Sequence, residues 1–190
     1  MPSEATPRSK TSISVVLAAY NEAAILEKNV NTLVAYLSGL EQKYRWELII
    51  VNDGSADETG KIADWVAAGK SNIRVVHHPA NMGLCEALKT GFQHCRGRYA
   101  ITLDIDLSYS PDHIERLLTE IENTKSHVVI ASAYMEGGTS ENVPWFRLAM
   151  SKWSNRFLSK LSPGRICTFT GMVRAYDLDF IQNLNLKAKG

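Results

Sequence analysis

The segment Trp46-Glu-Leu-Ile-Ile-Val-Asn-Asp-Gly-Ser-Ala-Asp-Glu58 carries, in succession, the signals of a strand, a turn and a helix. Residues 46–51 form a short apolar run, which is typical of a buried strand. Residues 52–57 are polar turn formers, and Ser55-Ala-Asp-Glu58 has the form of a capping box, which predicts that a helix starts there. This order of elements is the repeating unit of an α/β fold.

The same unit recurs on both sides of this segment. Short apolar runs predict four further strands, over residues 13–18, 73–77, 99–103 and 127–131. Helical periods alternate with the strands, over residues 22–42, 55–68, 84–95 and 111–124. Strands that alternate with helices predict right-handed βαβ units. The predicted fold class is therefore α/β, with three α/β/α layers around a mostly parallel central sheet.

Composition limits the classes of protein that the chain can represent. Its 190 residues suit one α/β domain, and the net charge of +1 gives no overall preference for nucleic acid, so we expect no nucleic-acid partner. The three cysteines form no CxxC pair, which disfavours a disulfide framework or a zinc site.

The ends of the chain carry no targeting or spanning signal. We find no apolar run of about 20 residues that would cross a membrane, and the N-terminus lacks the apolar stretch of a signal peptide. Residues 1–12 are polar and are expected to form a flexible leader. Residues 13–190 are expected to form one domain, truncated at its C-terminus because the chain stops directly after a helical pattern.

Polar segments follow four of the predicted strands. They are Ala19-Tyr-Asn-Glu22, Asn52-Asp-Gly-Ser-Ala-Asp57, His77-His-Pro-Ala-Asn-Met-Gly83 and Asp104-Ile-Asp-Leu-Ser108. In a parallel sheet the carboxyl ends of the strands share one edge, and ligands of open α/β sheets bind there. The sequence therefore predicts a binding site built from these segments.

The segment after the fourth of these strands indicates a metal site. In an extended backbone Asp104, Asp106 and Ser108 would face the cleft, while Ile105 and Leu107 would face the core. Two adjacent carboxylates repel each other unless a cation lies between them. Their hard oxygen atoms suit Mg²⁺ or Mn²⁺, which share coordination with substrate phosphates. The alternative is an Asp-rich turn that caps the next helix, although Ser110, followed by proline, already fits the capping position.

Two common nucleotide-binding motifs are missing from the sequence. The first predicted strand is not followed by GxGxxG, and GxxxxGK[ST] does not occur. A dinucleotide-dependent dehydrogenase and a P-loop NTPase are therefore disfavoured. A diphosphate held through a metal and carboxylates fits the chain better.

Together the strand-end segments resemble a known family. The segments Val15-Val-Leu-Ala-Ala-Tyr-Asn-Glu22, Ile49-Ile-Val-Asn-Asp-Gly-Ser-Ala-Asp57, Asn81-Met-Gly83 and Asp104-Ile-Asp-Leu-Ser108 occur in order. They resemble the inverting glycosyltransferases of family 2, which have the GT-A fold. Within that family the likeness is closest to dolichol-phosphate mannose synthases and related polyprenyl-phosphate glycosyltransferases. Later matches to that branch are Tyr134-Met-Glu-Gly-Gly138, Arg147 and Thr170-Gly-Met-Val-Arg-Ala-Tyr176.

The resemblance implies roles for individual residues. Those implied to hold the donor, a UDP- or GDP-sugar, are Ala19, Tyr20, Asn21, Glu22, Asp53, Asn81, Gly83 and Ile105. Asp104 and Asp106 would bind Mg²⁺ or Mn²⁺ at the diphosphate, with Ser108 as a further or water-mediated ligand. Arg147 and Arg174 would meet the acceptor phosphate or the leaving diphosphate.

Two departures from the family pattern concern the acceptor more than the donor. Ala133 stands where the branch usually has arginine, and Thr168 stands where it often has aspartate. The region from Pro144 to Thr170 contains no Asp or Glu that could serve as a general base. A phosphate acceptor is already anionic and needs no base, which favours a polyprenyl (dolichyl-like) phosphate.

Residues 144–161 form a basic segment with an apolar stripe at helical spacing. Such a helix suits an anionic membrane surface, so we expect a cytoplasmic protein that is peripheral to the cytoplasmic face of a membrane. A helix that packs on the sheet with a solvated basic face is the alternative. Two other functions stay open: transfer to a soluble or polysaccharide acceptor, and a non-catalytic nucleotide-sugar-binding domain. A nucleotidyltransferase is a weaker option.

Overall fold

The computed structural model describes residues 10–131 and 172–184. The strands of this part are β1 (Thr11–Ala19), β2 (Tyr44–Asn52), β3 (Ile73–His77), β4 (Tyr99–Leu103), β5 (Val128–Ile130) and β6 (Arg174–Asp177). Its helices are α1 (Leu26–Gly39), α2 (Thr59–Ala67), α3 (Leu84–His94), α4 (His113–Thr124) and α5 (Leu178–Asn183). The basic segment 144–161, Arg147, Ala133, Thr168 and most of the leader lie outside the described residues.

The strands form one six-stranded sheet in the order β3-β2-β1-β4-β6-β5. β1 pairs in parallel with β2 and β4, and β2 pairs in parallel with β3. β6 is antiparallel to both of its neighbours, β4 and β5. The predicted mostly parallel sheet is confirmed, but the sequence did not predict β6.

Helices cover both faces of the sheet. On β1, Ile13, Val15 and Leu17 belong to one buried cluster while Val16 belongs to the other, because successive side chains of a strand point to opposite faces. The first cluster takes the apolar faces of α1, α2 and α4. The second takes those of α3 and α5. The predicted three-layer α/β/α arrangement is therefore confirmed.

Two predicted helix starts are wrong in detail. α2 begins at Thr59, and the Ser55 hydroxyl accepts a hydrogen bond from the Asn21 amide instead of capping the helix. α4 begins at His113, and the Ser110 hydroxyl bonds the Asp112 carboxylate rather than a helix amide. Both hydroxyls that the sequence pattern assigned to helix caps therefore form hydrogen bonds with other nearby polar groups. None of the described helices is long and apolar enough to cross a membrane.

Candidate active site

The carboxyl ends of β1 to β4 meet at one edge of the sheet. Ala19 is in register with Asn52, and Asn52 with His77. On the other side of β1, Leu17 is in register with Leu103, the last residue of β4. The polar segments that follow these four strands therefore emerge side by side, as the sequence predicted.

Asp53 clamps three of these segments together. Its amide donates to the Ala19 carbonyl over 2.9 Å. Its Oδ1 accepts hydrogen bonds from the Met82 amide at 2.9 Å and from His78 Nδ1 at 2.7 Å, and its Oδ2 accepts one from the Gly83 amide at 2.9 Å. Asp53 is only 3% exposed, so this carboxylate stabilises the loops from inside. The nucleotide contact expected of Asp53 stays a prediction.

The pKa of Asp53 reflects a competition between burial and hydrogen bonding. Burial favours the neutral carboxyl and raises the pKa, but the bonds from the Met82 amide, His78 and the Gly83 amide favour the carboxylate, and the net pKa is lowered. A lowered folded-state pKa means that the ionised group stabilises the fold.

We therefore expect the stability contribution of Asp53 to depend on pH. It is fully present above the unfolded pKa of about 3.9, and it is lost as the pH falls through the lower folded-state pKa. The Asp53→Asn variant should be destabilised by about 2 kcal/mol at pH 7, because it leaves buried donors poorly satisfied. The difference in the free energy of unfolding between this variant and the wild type should narrow below about pH 4.

Urea denaturation between pH 7 and pH 3 measures this gap. Asp179→Asn is the control, since Asp179 forms an exposed ion pair with Arg98, and such pairs contribute little. A gap between wild type and Asp53→Asn that stays constant down to pH 3 would contradict the prediction.

Gly54 allows the loops after β2 and β3 to interlock, and Gly83 shapes the end of the loop after β3. Gly54 has φ +65°, and an added Cβ would lie 2.1 Å from the carbonyl carbon of Ala80. Gly83, with φ +88° and ψ 157°, precedes α3 in a conformation that is essentially restricted to glycine. The Asn81 side-chain oxygen accepts a bond from the Gly83 amide at 3.1 Å. Asn81 and Gly83, both predicted donor residues, therefore belong to one tightly shaped turn.

A second set of contacts joins the β1 and β2 loops. The Asn21 side chain accepts from the Ala56 amide at 2.9 Å, while the Asn21 amide donates to Ser55 Oγ at 3.0 Å. The Glu22 amide donates to Thr59 Oγ1 at 2.8 Å. These bonds shape the predicted donor turn that begins at Ala19. Tyr20 in that turn is 47% exposed, so its ring is open to solvent at the site edge.

The acidic segment after β4 is a turn rather than an extended strand. The Leu107 amide donates to the Asp104 carbonyl at 3.1 Å, and Leu107 has φ +51°. The predicted alternation is therefore wrong beyond Ile105: Ile105 is buried, but Leu107 is half-buried, and the chain bends before Ser108. The turn forms because β4 ends at Leu103 and leaves the backbone free of sheet pairing.

The two aspartates nevertheless interact. Asp104 is half-buried, and its pKa is raised by burial and then by the negative charge of Asp106. Ser108 donates to Asp106 through its amide at 2.9 Å and through its hydroxyl at 2.6 Å. The hydroxyl that was predicted as a metal ligand thus supports the Asp106 carboxylate. The side chain of Asn29 in α1, which the sequence analysis did not single out, donates to the Ile105 carbonyl at 3.0 Å and holds the turn.

Glu22 brings a further carboxylate into the same electrostatic field. Its pKa is raised by burial, then by Asp106 and then by Asp57. The sequence predicted that the loops of Glu22 and Asp106 share one edge of the sheet, but it did not predict the closeness of these two side chains, because their loops follow non-consecutive strands. No group of three or more His, Cys, Asp or Glu side chains with metal-binding geometry occurs within residues 10–131 and 172–184. A cation here would depend on the aspartate pair together with ligands other than the described His, Cys, Asp and Glu side chains.

Arg174 reaches the same edge from β6. It is in register with Thr102, two residues before Asp104, because β6 runs antiparallel to β4. The structure therefore places Arg174, one of the two predicted arginines, beside the end of β4 from which the acidic turn continues. Its predicted contact with phosphate stays a prediction.

The layered sheet has the GT-A fold of glycosyltransferases, which it shares with solved structures. One of them is the mannosyltransferase PcManGT from Pyrobaculum calidifontis, in complex with GDP-Man and Mn²⁺. It matches with a TM-score of 0.64 and 19% identity over 97% of this chain and 50% of that chain.

The chain belongs to Glycosyl transferase family 2, which matches residues 14–182. It is 33% identical over 145 residues to polyprenol monophosphomannose synthase of Mycolicibacterium smegmatis, covering 74% of this chain and 54% of the relative. It is 32% identical over 140 residues to dolichol-phosphate mannosyltransferase of Pyrococcus furiosus, covering 74% of this chain and 38% of the relative. The chain thus spans about half or less of these relatives. The family inferred from the sequence is confirmed.

Proposed function

We propose that this chain forms the donor-binding part of a metal-dependent, inverting glycosyltransferase that moves a sugar from a UDP- or GDP-sugar to a polyprenyl phosphate. The convergence of the Asp104–Asp106 turn with the loops after β1, β2 and β3 carries this proposal. The names of the two relatives, which act on polyprenol and dolichol phosphates, support the acceptor.

The aspartate pair has the chemistry of a divalent-metal site. The raised pKa of Asp104 shows that, without a cation, burial and the charge of Asp106 both oppose its ionisation. Mg²⁺ or Mn²⁺ would relieve this repulsion and accept two carboxylates while sharing the remaining positions with a diphosphate and water. When bound, such an ion acts as a Lewis acid that stabilises the charge on the leaving diphosphate. The Mn²⁺ of PcManGT supports this choice of metal.

The loops around the pair would bind and orient the donor. Under this proposal the Ala19–Glu22 turn holds the nucleotide, and the exposed Tyr20 ring offers an apolar surface to it. Asp53 shapes the loop that carries Asn81 and Gly83. Holding the donor in one geometry lowers the entropic part of the barrier to transfer.

The acceptor would approach the arginines. Arg174 lies beside the acidic turn in the register of β6 on β4, and Arg147 is its proposed partner. Guanidinium groups bind phosphate oxygens well, and an anionic acceptor attacks without a general base. Contact of residues 144–161 with the cytoplasmic face of a membrane is part of the same proposal.

Nucleotide-sugar binding tests this function. We expect a UDP- or GDP-sugar at about 100 times its Kd to stabilise the protein by about 2.7 kcal/mol when Mn²⁺ is present. Excess EDTA should remove the effect, because the aspartates alone repel the diphosphate. A thermal-shift screen measures it, with each nucleotide-sugar tested with and without Mn²⁺. Equal melting temperatures throughout would contradict the proposal.

Product analysis then separates the acceptors. Sugar transferred to a polyprenyl phosphate supports the proposed reaction. Transfer only to a soluble sugar would assign the alternative acceptor class, and donor binding without transfer or hydrolysis would identify a non-catalytic binding domain, as the substitutions at Ala133 and Thr168 would permit.

A further inference from the structure

His78 occupies a buried position between two elements of the candidate site. It follows β3 and is 9% exposed. Its Nδ1 lies 2.7 Å from Asp53 Oδ1, and its Nε2 lies 2.9 Å from the hydroxyl of Thr90 in α3. Its amide donates to the Asn52 carbonyl at 2.9 Å. The backbone of His78 is therefore bonded to the end of β2, and its ring is bonded to Asp53, directly after β2, and to Thr90 in α3.

The hydrogen bonds define the orientation of this ring. The lowered pKa of Asp53 keeps its carboxylate ionised, and an ionised carboxylate can only accept hydrogen bonds. Nδ1 of His78 therefore carries the hydrogen and donates it to Asp53. In the neutral ring Nε2 is then the acceptor, and the Thr90 hydroxyl donates to it. Either partner alone would leave the ring free to turn about its remaining bond.

The Asp53 carboxylate links the His78 ring to the loop before α3. The oxygen that accepts from His78 also accepts from the Met82 amide, and the other oxygen accepts from the Gly83 amide. A rotation of the carboxylate would therefore move both amides. These amides belong to the Asn81–Gly83 turn, which the proposed function assigns to the donor.

The neighbouring His77 has a different environment. Its ring is exposed and hydrogen-bonds the side chains of Asn52 and Asp64 rather than the Asp53 carboxylate. The two adjacent histidines thus serve different contacts, and the buried one is linked to the donor loop.

We propose that His78 is a positioning residue for the nucleotide-sugar, acting through Asp53, with Thr90 holding its ring in place. This inference rests on the proposed function, because the ligand concerned is the proposed donor. His78 touches neither donor nor metal in this role. Its loss should weaken donor binding through the Asn81–Gly83 turn and leave the chemical step at Asp104 and Asp106 largely unchanged.

Graded substitutions separate the two bonds of the ring. His78→Asn places an amide nitrogen near the position of Nδ1 and can keep the bond to Asp53. His78→Ala removes both bonds. Thr90→Val removes the hydroxyl at constant shape, and Thr90→Ser restores it. His94→Ala is the matched control, since the His94 ring, which is also on α3, hydrogen-bonds the Thr90 carbonyl and not the Asp53 carboxylate.

We expect His78→Ala to raise the donor KM and Kd roughly tenfold, as misplaced supporting groups do, with little change in kcat. Thr90→Val should shift the KM in the same direction. His78→Asn, which keeps the bond to Asp53 but loses the bond to Thr90, should shift the KM as Thr90→Val does, whereas Thr90→Ser and His94→Ala should stay near wild type. Titration with UDP and GDP in the presence of Mn²⁺, together with steady-state rates, measures these values on variants whose folding is checked by circular dichroism.

Wild-type donor affinity in folded His78→Ala and Thr90→Val variants would overturn the inference. So would a loss confined to kcat, because a positioning role in donor binding must appear in KM. If His78→Ala does not fold, the Thr90→Val and Thr90→Ser pair decides alone. Failure of the wild-type protein to bind either nucleotide would instead overturn the proposed function, and the unmutated titration detects that case separately.

Discussion

Replacing Asp104 or Asp106 by asparagine is expected to lower the rate of sugar transfer roughly a thousandfold, equivalent to about 4 kcal/mol of transition-state stabilisation. Either change removes one of the two carboxylates proposed to hold the metal against the leaving diphosphate. The described residues contain no further cluster that could replace the pair. The measurement is the initial rate of transfer with Mn²⁺ at saturating donor.

The Asp104→Asn variant should lose activity without losing stability. Burial and Asp106 raise the pKa of Asp104, so its ionised form destabilises the metal-free fold at neutral pH. Stability from this group therefore increases as the pH falls through its raised pKa, and the neutral asparagine imitates the protonated state. We expect the metal-free variant to be at least as stable as wild type, while Mn²⁺ should stabilise the wild type more than the variant.

The exposed Asp179 at the opposite edge of the sheet provides a control, because Asp179→Asn removes a carboxylate from outside the site. It should leave both the rate and the Mn²⁺ effect unchanged. Full activity and an unchanged Mn²⁺ response in Asp104→Asn and Asp106→Asn would remove the metal role from the pair.

Gly54→Ala is expected to produce the largest loss of stability, about 3 kcal/mol or more, because it combines backbone strain with a clash. The backbone at Gly54 has φ +65°, and a Cβ would lie 2.1 Å from backbone atoms of Ala80 that cannot move independently. Relief of the clash would separate the loops that Asp53 joins. Urea denaturation measures the loss, and Mn²⁺-dependent donor binding should fall with it.

Gly69→Ala separates the two contributions. Gly69 also has a positive φ, of +74°, but an added Cβ there would meet nothing within 4 Å. Its substitution should cost only the strain, about 1 kcal/mol. If Gly54→Ala is no more destabilising than Gly69→Ala, the two loops do not interlock as described.

Two of the short apolar strands were predictable with little error. β3 and β4 begin and end at the predicted residues, since short apolar runs bounded by polar residues have few alternatives in a layered fold. β6 was missed because Arg174–Asp177 is short, and its strand character comes from pairing with β4, far away along the chain.

Helix starts were less predictable than strands. Ser55 has the spacing of a capping residue, but its hydroxyl accepts from Asn21, which comes from the loop after β1. A capping pattern describes one local partner for a hydroxyl. The pattern cannot include a competing donor that is distant in sequence, such as the Asn21 amide, which lies 34 residues before Ser55.

The family followed from the resemblance of the strand-end motifs to known glycosyltransferases. The layered fold and the pairing of Asp104 with Asp106 could be read from residue types and their spacing, because periodic burial and closely spaced carboxylates are local properties. The bend at Leu107, the approach of Glu22 to Asp106 and the enclosure of Asp53 by His78, Met82 and Gly83 could not. These depend on which loops the strand order brings together at one edge of the sheet. Hydrogen bonds and charges act over a few ångströms of space, whatever the separation of their residues along the chain.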